Sequence, residues 1–260
     1  VAAENYIAGT TSQVSVPVVQ LRARAELECG TDTELLLGET VQVFDSAAGG
    51  AWVKADSDGY VGYVPDYTVG PVVKSVTHVV TAPRTFVYVG PDLRFPTVQA
   101  LSMGSRITVV DERETRGTRY FLLDGGQAII ANHCAPLDSA FSGDYVAIAG
   151  RFLETPYLWG GRSGFGIDCS GLVQLSMLMA GRPVPRDTDM QEKGLGTPIS
   201  REELRRGDLV FWKGHVAIME DDKMLLHANG HTMNVSHEGL EEAIHRIGWL
   251  YDRPTSYRRP

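Results

Sequence analysis

The stretch Pro156-Tyr157-Leu158-Trp159-Gly160-Gly161, followed by Gly166-Ile167-Asp168-Cys169-Ser170-Gly171-Leu172-Val173, sets the reading of the C-terminal half. Glycines and small polar residues give way abruptly to an apolar run. A loop therefore delivers Cys169 to the start of a helix predicted over 170–180 and closed by Gly181. A helix start carries unpaired N–H groups and partial positive charge. Both favour a thiolate, and an oxyanion beside it. A cysteine in an apolar helix is more often a small buried side chain; the flanking glycines and polar residues favour a nucleophile here.

Outward from that stretch, Tyr145, Ile148, Ala149, Phe152 and Leu153 fall on one face of a helix over about 143–154, ended by Pro156. Strand-like runs follow at 208–212, 215–219, 224–228 and 232–236. Helices first and an antiparallel sheet after them make an α+β arrangement.

A thiol nucleophile needs a base, and the base needs an orienting group. Among seven histidines, His78 and His133 fall in the N-terminal half, where surface or structural roles are expected. His215 opens a strand directly after Gly214, and His227 closes the next one. A three-residue loop, Glu220-Asp221-Asp222, puts the two face to face. A two-residue turn puts them on opposite faces, and the sequence leaves both open. His227 and His231 also have the i, i+4 spacing of a helical zinc pair. The Asn229-Gly230 pair between them favours a turn instead, and no acidic or cysteine ligand accompanies them. No metal and no cofactor is expected.

The N-terminal half reads as strands. Residues 39–45 alternate apolar and polar, Trp52-Val53-Lys54-Ala55 follows, and Asp58-Gly59 turns the chain into Tyr60-Val61-Gly62-Tyr63-Val64-Pro65. A second copy lies 66 positions on: Gly38 aligns with Gly104, Val41 with Ile107, Val43 with Val109 and Asp45 with Asp111. Two copies are too few for a solenoid and fit tandem β-barrels.

Composition sets the outer bounds. The 260 residues suffice for two or three small domains, and 43% hydrophobic with 22% charged residues is ordinary for a globular protein. A net charge of −8 argues against nucleic acid as the partner. No apolar run reaches the roughly 18 residues that a spanning helix needs, so no membrane insertion is expected. The opening Val-Ala-Ala-Glu-Asn-Tyr lacks the basic-then-apolar pattern of a signal peptide. Three cysteines form no close pair, so at least one thiol is free; Cys29 and Cys134 read as small buried residues rather than a bridge.

The motifs "P-Y-L-W-G-G…D-C-S-G-L-V", "R-G-D-L-V-F-W", "G-H-V-A-I" and "L-L-H-A" occur in one order over about residues 143–258. In them the chain resembles the NlpC-type cell-wall endopeptidases, cysteine peptidases of papain-like fold. The resemblance implies Cys169 as nucleophile, His215 as base and His227 as the third, orienting residue. Tyr157 matches a tyrosine that stands near the nucleophile. The substrate implied is a peptidoglycan stem peptide, cut between γ-D-glutamate and the diamino acid.

The N-terminal copies resemble bacterial SH3-like domains, with their "G-E-x-V-x-V", "W-x-x-V" and "G-Y-x-G-W/Y-V" strands. The second copy lacks the Trp and the G-Y-x-G element. The expected layout is one SH3-like domain at 1–70, a second at 71–138, and the catalytic domain at 139–260. It is similar to γ-D-glutamyl-L-diamino acid endopeptidases that require a free N-terminal L-alanine. That likeness implies Glu34 and Tyr60 as contacts to the substrate amine, with Asp168 and Ser170 as further ones. Arg186 and Asp187, in "V-P-R-D-T", match a segment beside the site. Glu34 and Tyr60 read equally well as a solvated charge and ordinary strand packing. An amidase or acyltransferase on the same fold is the alternative within enzymes. A wall-binding adaptor with a vestigial catalytic domain is the other, against which the complete Cys-His-His set argues. Recycling of released peptides suits the cytoplasm and a reduced thiol, the compartment expected first; export would suit the periplasm. The oligomeric state is left open.

Overall fold

The computed structural model describes residues 7–26, 28–47, 49–72, 75–139 and 143–260. The chain divides into two compact units, Val1–Ala140 and Phe141–Pro260.

In the first unit, seven strands come before residue 72: β1 (Thr10–Val14), β2 (Val18–Arg22), β3 (Thr31–Leu36), β4 (Thr40–Ala47), β5 (Gly50–Ala55), β6 (Val61–Pro65) and β7 (Val69–Pro71). They form one antiparallel sheet in the order β3-β2-β6-β5-β4-β1-β7. Alternate residues such as Val19, Leu21, Val41, Val53 and Val64 point into a shared core.

Eight more strands follow: β8 (His78–Val80), β9 (Arg84–Tyr88), β10 (Thr97–Ser102), β11 (Arg106–Ile107), β12 (Val109–Thr115), β13 (Thr118–Leu123), β14 (Ala128–Ile130) and β15 (Cys134–Pro136). They form two sheets, β10-β9-β14-β13-β12 and β11-β8-β15. The pairing repeats that of the first seven strands, with β4 represented by β11 and β12. The register repeats as well. Val18 opposite Leu36 becomes Arg84 opposite Ser102, and Arg22 opposite Thr31 becomes Tyr88 opposite Thr97, with an irregularity beside the last pair in both. The bulge between Val43 and Asp45 recurs between Val109 and Asp111. Gly38 and Gly104 turn the chain at matching points with φ of 80° and 90°. At Gly38 a side chain is excluded twice, because a Cβ would also lie 2.2 Å from the Arg106 carbonyl oxygen.

The second unit begins with α1 (Tyr145–Gly150), capped by Asp144, whose carboxylate accepts the Val146 N–H at 2.9 Å. It is shorter than the helix expected over 143–154. Single turns carry the chain on to Thr155, with Phe152 still fully buried and Glu154 at a positive φ of 64°. After β16 (Arg162–Ser163) and β17 (Gly166–Ile167) comes α2 (Cys169–Met179), buried along nearly its whole length, with Gly181 at φ 78° just beyond it. Then follow α3 (Thr188–Gly194), β18 (Thr197–Pro198), β19 (Leu209–Trp212), β20 (His215–Met219), β21 (Met224–Asn229), β22 (Asn234–Gly239), α4 (Leu240–Tyr251) and β23 (Ser256–Arg259). The six strands make one antiparallel sheet, β18-β23-β19-β20-β21-β22. Leu240, Ala243 and Ile247 of α4 meet Ala217, Met219 and Leu225 in a core on one face.

Candidate active site

Asp168 caps α2, its Oδ1 accepting the Gly171 N–H at 2.7 Å. Its Oδ2 accepts the Gly160 N–H at 2.9 Å. Arg186 closes on both oxygens, Nη1 to Oδ1 at 3.0 Å and Nη2 to Oδ2 at 2.7 Å. Arg186 also donates to Ser170 Oγ at 2.8 Å and to the Gly161 carbonyl at 3.3 Å. Asp168, Ser170 and Arg186 are all buried. The glycine loop and the first turn of the nucleophile helix are thus tied to one buried ion pair. Asp187 is the N-terminal flanking residue of α3, and the first residue of that helix, Thr188, places its hydroxyl 3.9 Å from Cys169 Sγ. Gln191 of α3 donates to the Ser170 carbonyl at 3.0 Å.

Cys169 is the first residue of α2 and is 6% exposed. Burial, and then the Asp168 charge, push its thiol up to about 11; the Val216 N–H, the Thr188 hydroxyl and Arg186 pull the other way. The helix start by itself was expected to favour the thiolate, and burial outweighs it. The Val216 hydrogen bond sets the thiol beside the residue that follows His215.

The histidines settle the register question. Ile218 pairs with Leu226 and Met219 with Leu225, and Glu220 N–H bonds the Met224 carbonyl at 2.8 Å. The loop is therefore 221–223, one residue on from the three-residue loop considered above, and the Asp221 carboxylate holds the Lys223 and Met224 N–H groups at 2.7 Å. His215 and His227 consequently share a face but stand diagonally rather than directly opposite. Their rings meet with His215 Nε2 2.9 Å from His227 Nδ1. Beyond them, Leu225 pairs with Glu238 and His227 with Ser236, so Glu238 is on the same face one strand further. His227 Nε2 lies 3.1 Å from Glu238 Oε2, close but oblique to the hydrogen-bond direction. Arg246 of α4 grips Glu238 with Nε at 2.8 Å and Nη2 at 2.6 Å.

Burial, the neighbouring His227 and Arg246 push His215 down to about 3, against an opposing pull from Glu238. Burial also lowers His227, again opposed by Glu238. Burial alone would raise Glu238, but the Arg246 and His227 contacts outweigh it and bring the carboxylate to about 2. The resting site therefore holds a neutral thiol, neutral imidazoles and an ionised Glu238.

Tyr157, Trp159, His215, His231 and Arg246 line a cleft of about 540 Å³. Asn229 Oδ1 accepts the His231 and Thr232 N–H groups at 2.9 Å, so this segment is a turn and not the helix that a zinc pair would need. Glu34 lines a pocket of about 450 Å³ in the first unit, and Tyr60 packs against the core there. Cys29 and Cys134 are free thiols, the latter pushed up to about 12 by burial.

The sequence model of the NlpC/P60 family matches residues 154–248, and that of the bacterial dipeptidyl-peptidase Sh3 domain matches residues 21–67. The probable endopeptidase NlpC of Escherichia coli is 32% identical over 114 residues, which are 38% of this chain and 73% of that protein. The chain belongs to the NlpC/P60 family. A gamma-D-glutamyl-L-lysine dipeptidyl-peptidase of Bacillus cereus is 28% identical over 232 residues, covering 76% of this chain and 67% of its own. The fold matches the crystal structure of an NlpC/P60 family protein from Bacillus cereus with a TM-score of 0.80 at 22% identity, over 96% of this chain and 99% of that one.

The protein is an NlpC/P60 cysteine peptidase with an SH3 domain. Thr188, Gln191, Glu238 and Arg246 went unnoticed in the sequence. The apolar i, i+3, i+7 spacing of Leu240, Ala243 and Ile247 was the available signal for α4. No comparable signal marks Thr188.

Proposed function

We propose that the protein hydrolyses the γ-D-glutamyl–L-diamino acid bond of peptidoglycan stem peptides released with a free N-terminal L-alanine. The observation that carries the reading is the hydrogen-bonded His215–His227 pair on the strands beside a thiol at a capped helix start. The named activity of the Bacillus cereus relative supports the choice of bond. In this reading residues 1–70 and 71–138 are two SH3-like domains and 139–260 a papain-like catalytic domain. The repeated strand pairing supports the count.

His215 takes the Cys169 proton on Nδ1, the ring nitrogen not turned to His227. The thiolate attacks the γ-glutamyl carbonyl carbon. The first-turn N–H groups of Cys169 and Ser170 hold the oxyanion, since that of Gly171 is spent on the Asp168 cap. Tyr157 assists from the cleft wall. Protonated His215 then gives its proton to the departing amine, and water resolves the thioester. Substrate entry must favour the charged pair, because the resting one is neutral.

Selection of the free amine is assigned to Glu34 and Tyr60 of the first unit and to Asp168, Ser170 and Asp187 of the second. The Asp168 charge is already matched by Arg186. The test is L-Ala-γ-D-Glu-diamino acid tripeptide, free and N-acetylated, followed by mass spectrometry. Release of the dipeptide from the free form with roughly a hundredfold or greater loss on acetylation is expected, because acetylation removes the amine charge and adds bulk. Glu34→Gln reproduces part of that loss on the free peptide only. Equal cleavage of both forms refutes the amine reading. Transfer to an added amine in preference to water indicates an acyltransferase, and binding without turnover an adaptor.

A further inference from the structure

The cysteine–histidine reading ends at His227, but the side chains continue beyond it. His215, His227 and Glu238 sit on three successive strands and on one face, and Arg246 of the packed helix closes the row. Period-two alternation, with the registers that the two intervening turns set, places them there. We propose that Glu238, clamped by Arg246, is a positioning residue that fixes the His227 tautomer and through it the orientation and basicity of His215. The inference rests on the peptidase reading of Cys169 and His215 above.

The argument follows the protons. Glu238 is an acceptor only, and Arg246 supplies two donors that hold its carboxylate in place. The nitrogen of His227 that faces it, Nε2, is therefore the protonated one. Nδ1 of His227 is then a bare acceptor, and the His215 nitrogen 2.9 Å away must donate to it. That leaves the lone pair of His215 on Nδ1, the nitrogen free to take a proton from a thiol. Without Glu238 both His227 tautomers are open, and one of them turns an N–H toward His215 and favours the wrong tautomer there. The oblique 3.1 Å contact between His227 and Glu238 is of the kind that tightens when a substrate binds. Once His215 is protonated and keeps that proton for the leaving amine, the ionised Glu238 carboxylate stabilises its charge through the intervening His227.

The charged and titratable groups acting on His215 are His227 of β21, Glu238 of β22 and Arg246 of α4, while Cys169 of α2 is bonded to the next residue, Val216, and Lys213 and His231 line the same cleft. Glu238 pulls the histidines up and Arg246 pulls them down. Their removal should therefore move the acid limb of the kcat/KM profile in opposite directions, which a merely structural pair would not do.

The experiment uses the full chain and the tripeptide above. Glu238→Gln is expected to lower kcat roughly 10- to 100-fold, a part of what a positioned proton-transfer group contributes, with KM within about twofold. Its acid limb should shift to lower pH, and that of Arg246→Gln to higher pH. Glu238→Asp should recover part of the lost rate. In parallel, nitrogen-15 NMR of histidine-labelled wild type should show His227 protonated on Nε2, a readout that needs no variant to fold. Wild-type His227 protonated on Nδ1 overturns the proposal, as does Glu238→Gln with unchanged kcat and pH profile while His227→Ala is impaired. Turnover retained by Cys169→Ala would instead sink the peptidase reading beneath it.

Discussion

Replacing Arg186 with methionine removes the cation bonded to Asp168 and leaves a buried carboxylate at the start of the nucleophile helix. Arg186 is 2% exposed and holds both carboxylate oxygens, at 2.7 and 3.0 Å, while its other bonds tie down Ser170 and Gly161. Breaking a buried pair from one side costs about 3–5 kcal/mol. Asp168 keeps the Gly171 and Gly160 N–H groups, so the lower end, about 3 kcal/mol, is expected. For a unit near 120 residues this is a fall in melting temperature of roughly 12 °C, at about 4 °C per kcal/mol. Asp168→Asn alone strands the guanidinium and should cost a similar amount. The double variant is the discriminating case: an asparagine still caps a helix, and the charge imbalance is gone. It should be about 2 kcal/mol more stable than either single variant, a strong non-additivity. Urea unfolding followed by tryptophan fluorescence measures all four proteins. Single effects that simply add, or Arg186→Met within 1 kcal/mol of wild type, would refute the account of Arg186 as the counter-charge that holds the cap.

Two further outcomes follow from the titrating groups. With the Cys169 thiol held up at about 11, iodoacetamide labelling of the free enzyme at that residue should rise about tenfold per pH unit from pH 7 to 10; a plateau below pH 8 would mean a resting thiolate instead. His215 ordinarily titrates near 6.5 and is held down to about 3 in the fold, so below pH 6.5 the unfolded chain binds a proton that the native site refuses. Stability is therefore full above 6.5 and falls as the pH drops toward 3, and Glu238, lowered from 4.5 to about 2, adds a second loss across that lower window. His215→Gln should flatten the change in urea midpoint between pH 7 and pH 5, and an undiminished slope in that variant would assign the loss to other groups.

What the sequence made legible is what depends on local pattern. The turn at Asp58-Gly59, the glycine-closed helix after Cys169 and the strand at His215 each rest on a few adjacent residues, and the structure has Gly59 and Gly181 at positive φ accordingly. The diagonal placement of His215 and His227 depends on which residues of 220–223 form the loop. The Asp221 carboxylate, bonding two N–H groups, decides that, and no period-two pattern could have shown it. Glu238 is harder still: it reaches His227 only through the register of a third strand, set by the 230–233 turn and the Asn229 side chain. Thr188 meets Cys169 because α3 folds back along α2, a tertiary fact with no local signature.

The duplication in the first unit separates frame from chemistry. The two copies share strand pairing, register and the positions of their irregularities. Bulges fix where a strand bends and where its side chains aim, so their persistence means that the backbone architecture was kept. The side chains at the positions of interest were not kept. Glu34 stands where the second copy has Ala100, and Tyr60 lies in a hairpin that is shorter in the second copy, where Leu123 already bonds Gln127. Glu34 is 4% exposed, and a carboxylate buried to that degree costs several kcal/mol unless donors or a cation meet it. An alanine at the matching place carries no such cost and supports the same strand pair. The first copy thus carries a buried carboxylate that the shared strand pairing does not require. Under the function proposed here Glu34 and Tyr60 meet the substrate amine, and the second copy, lacking both residues, keeps the frame alone.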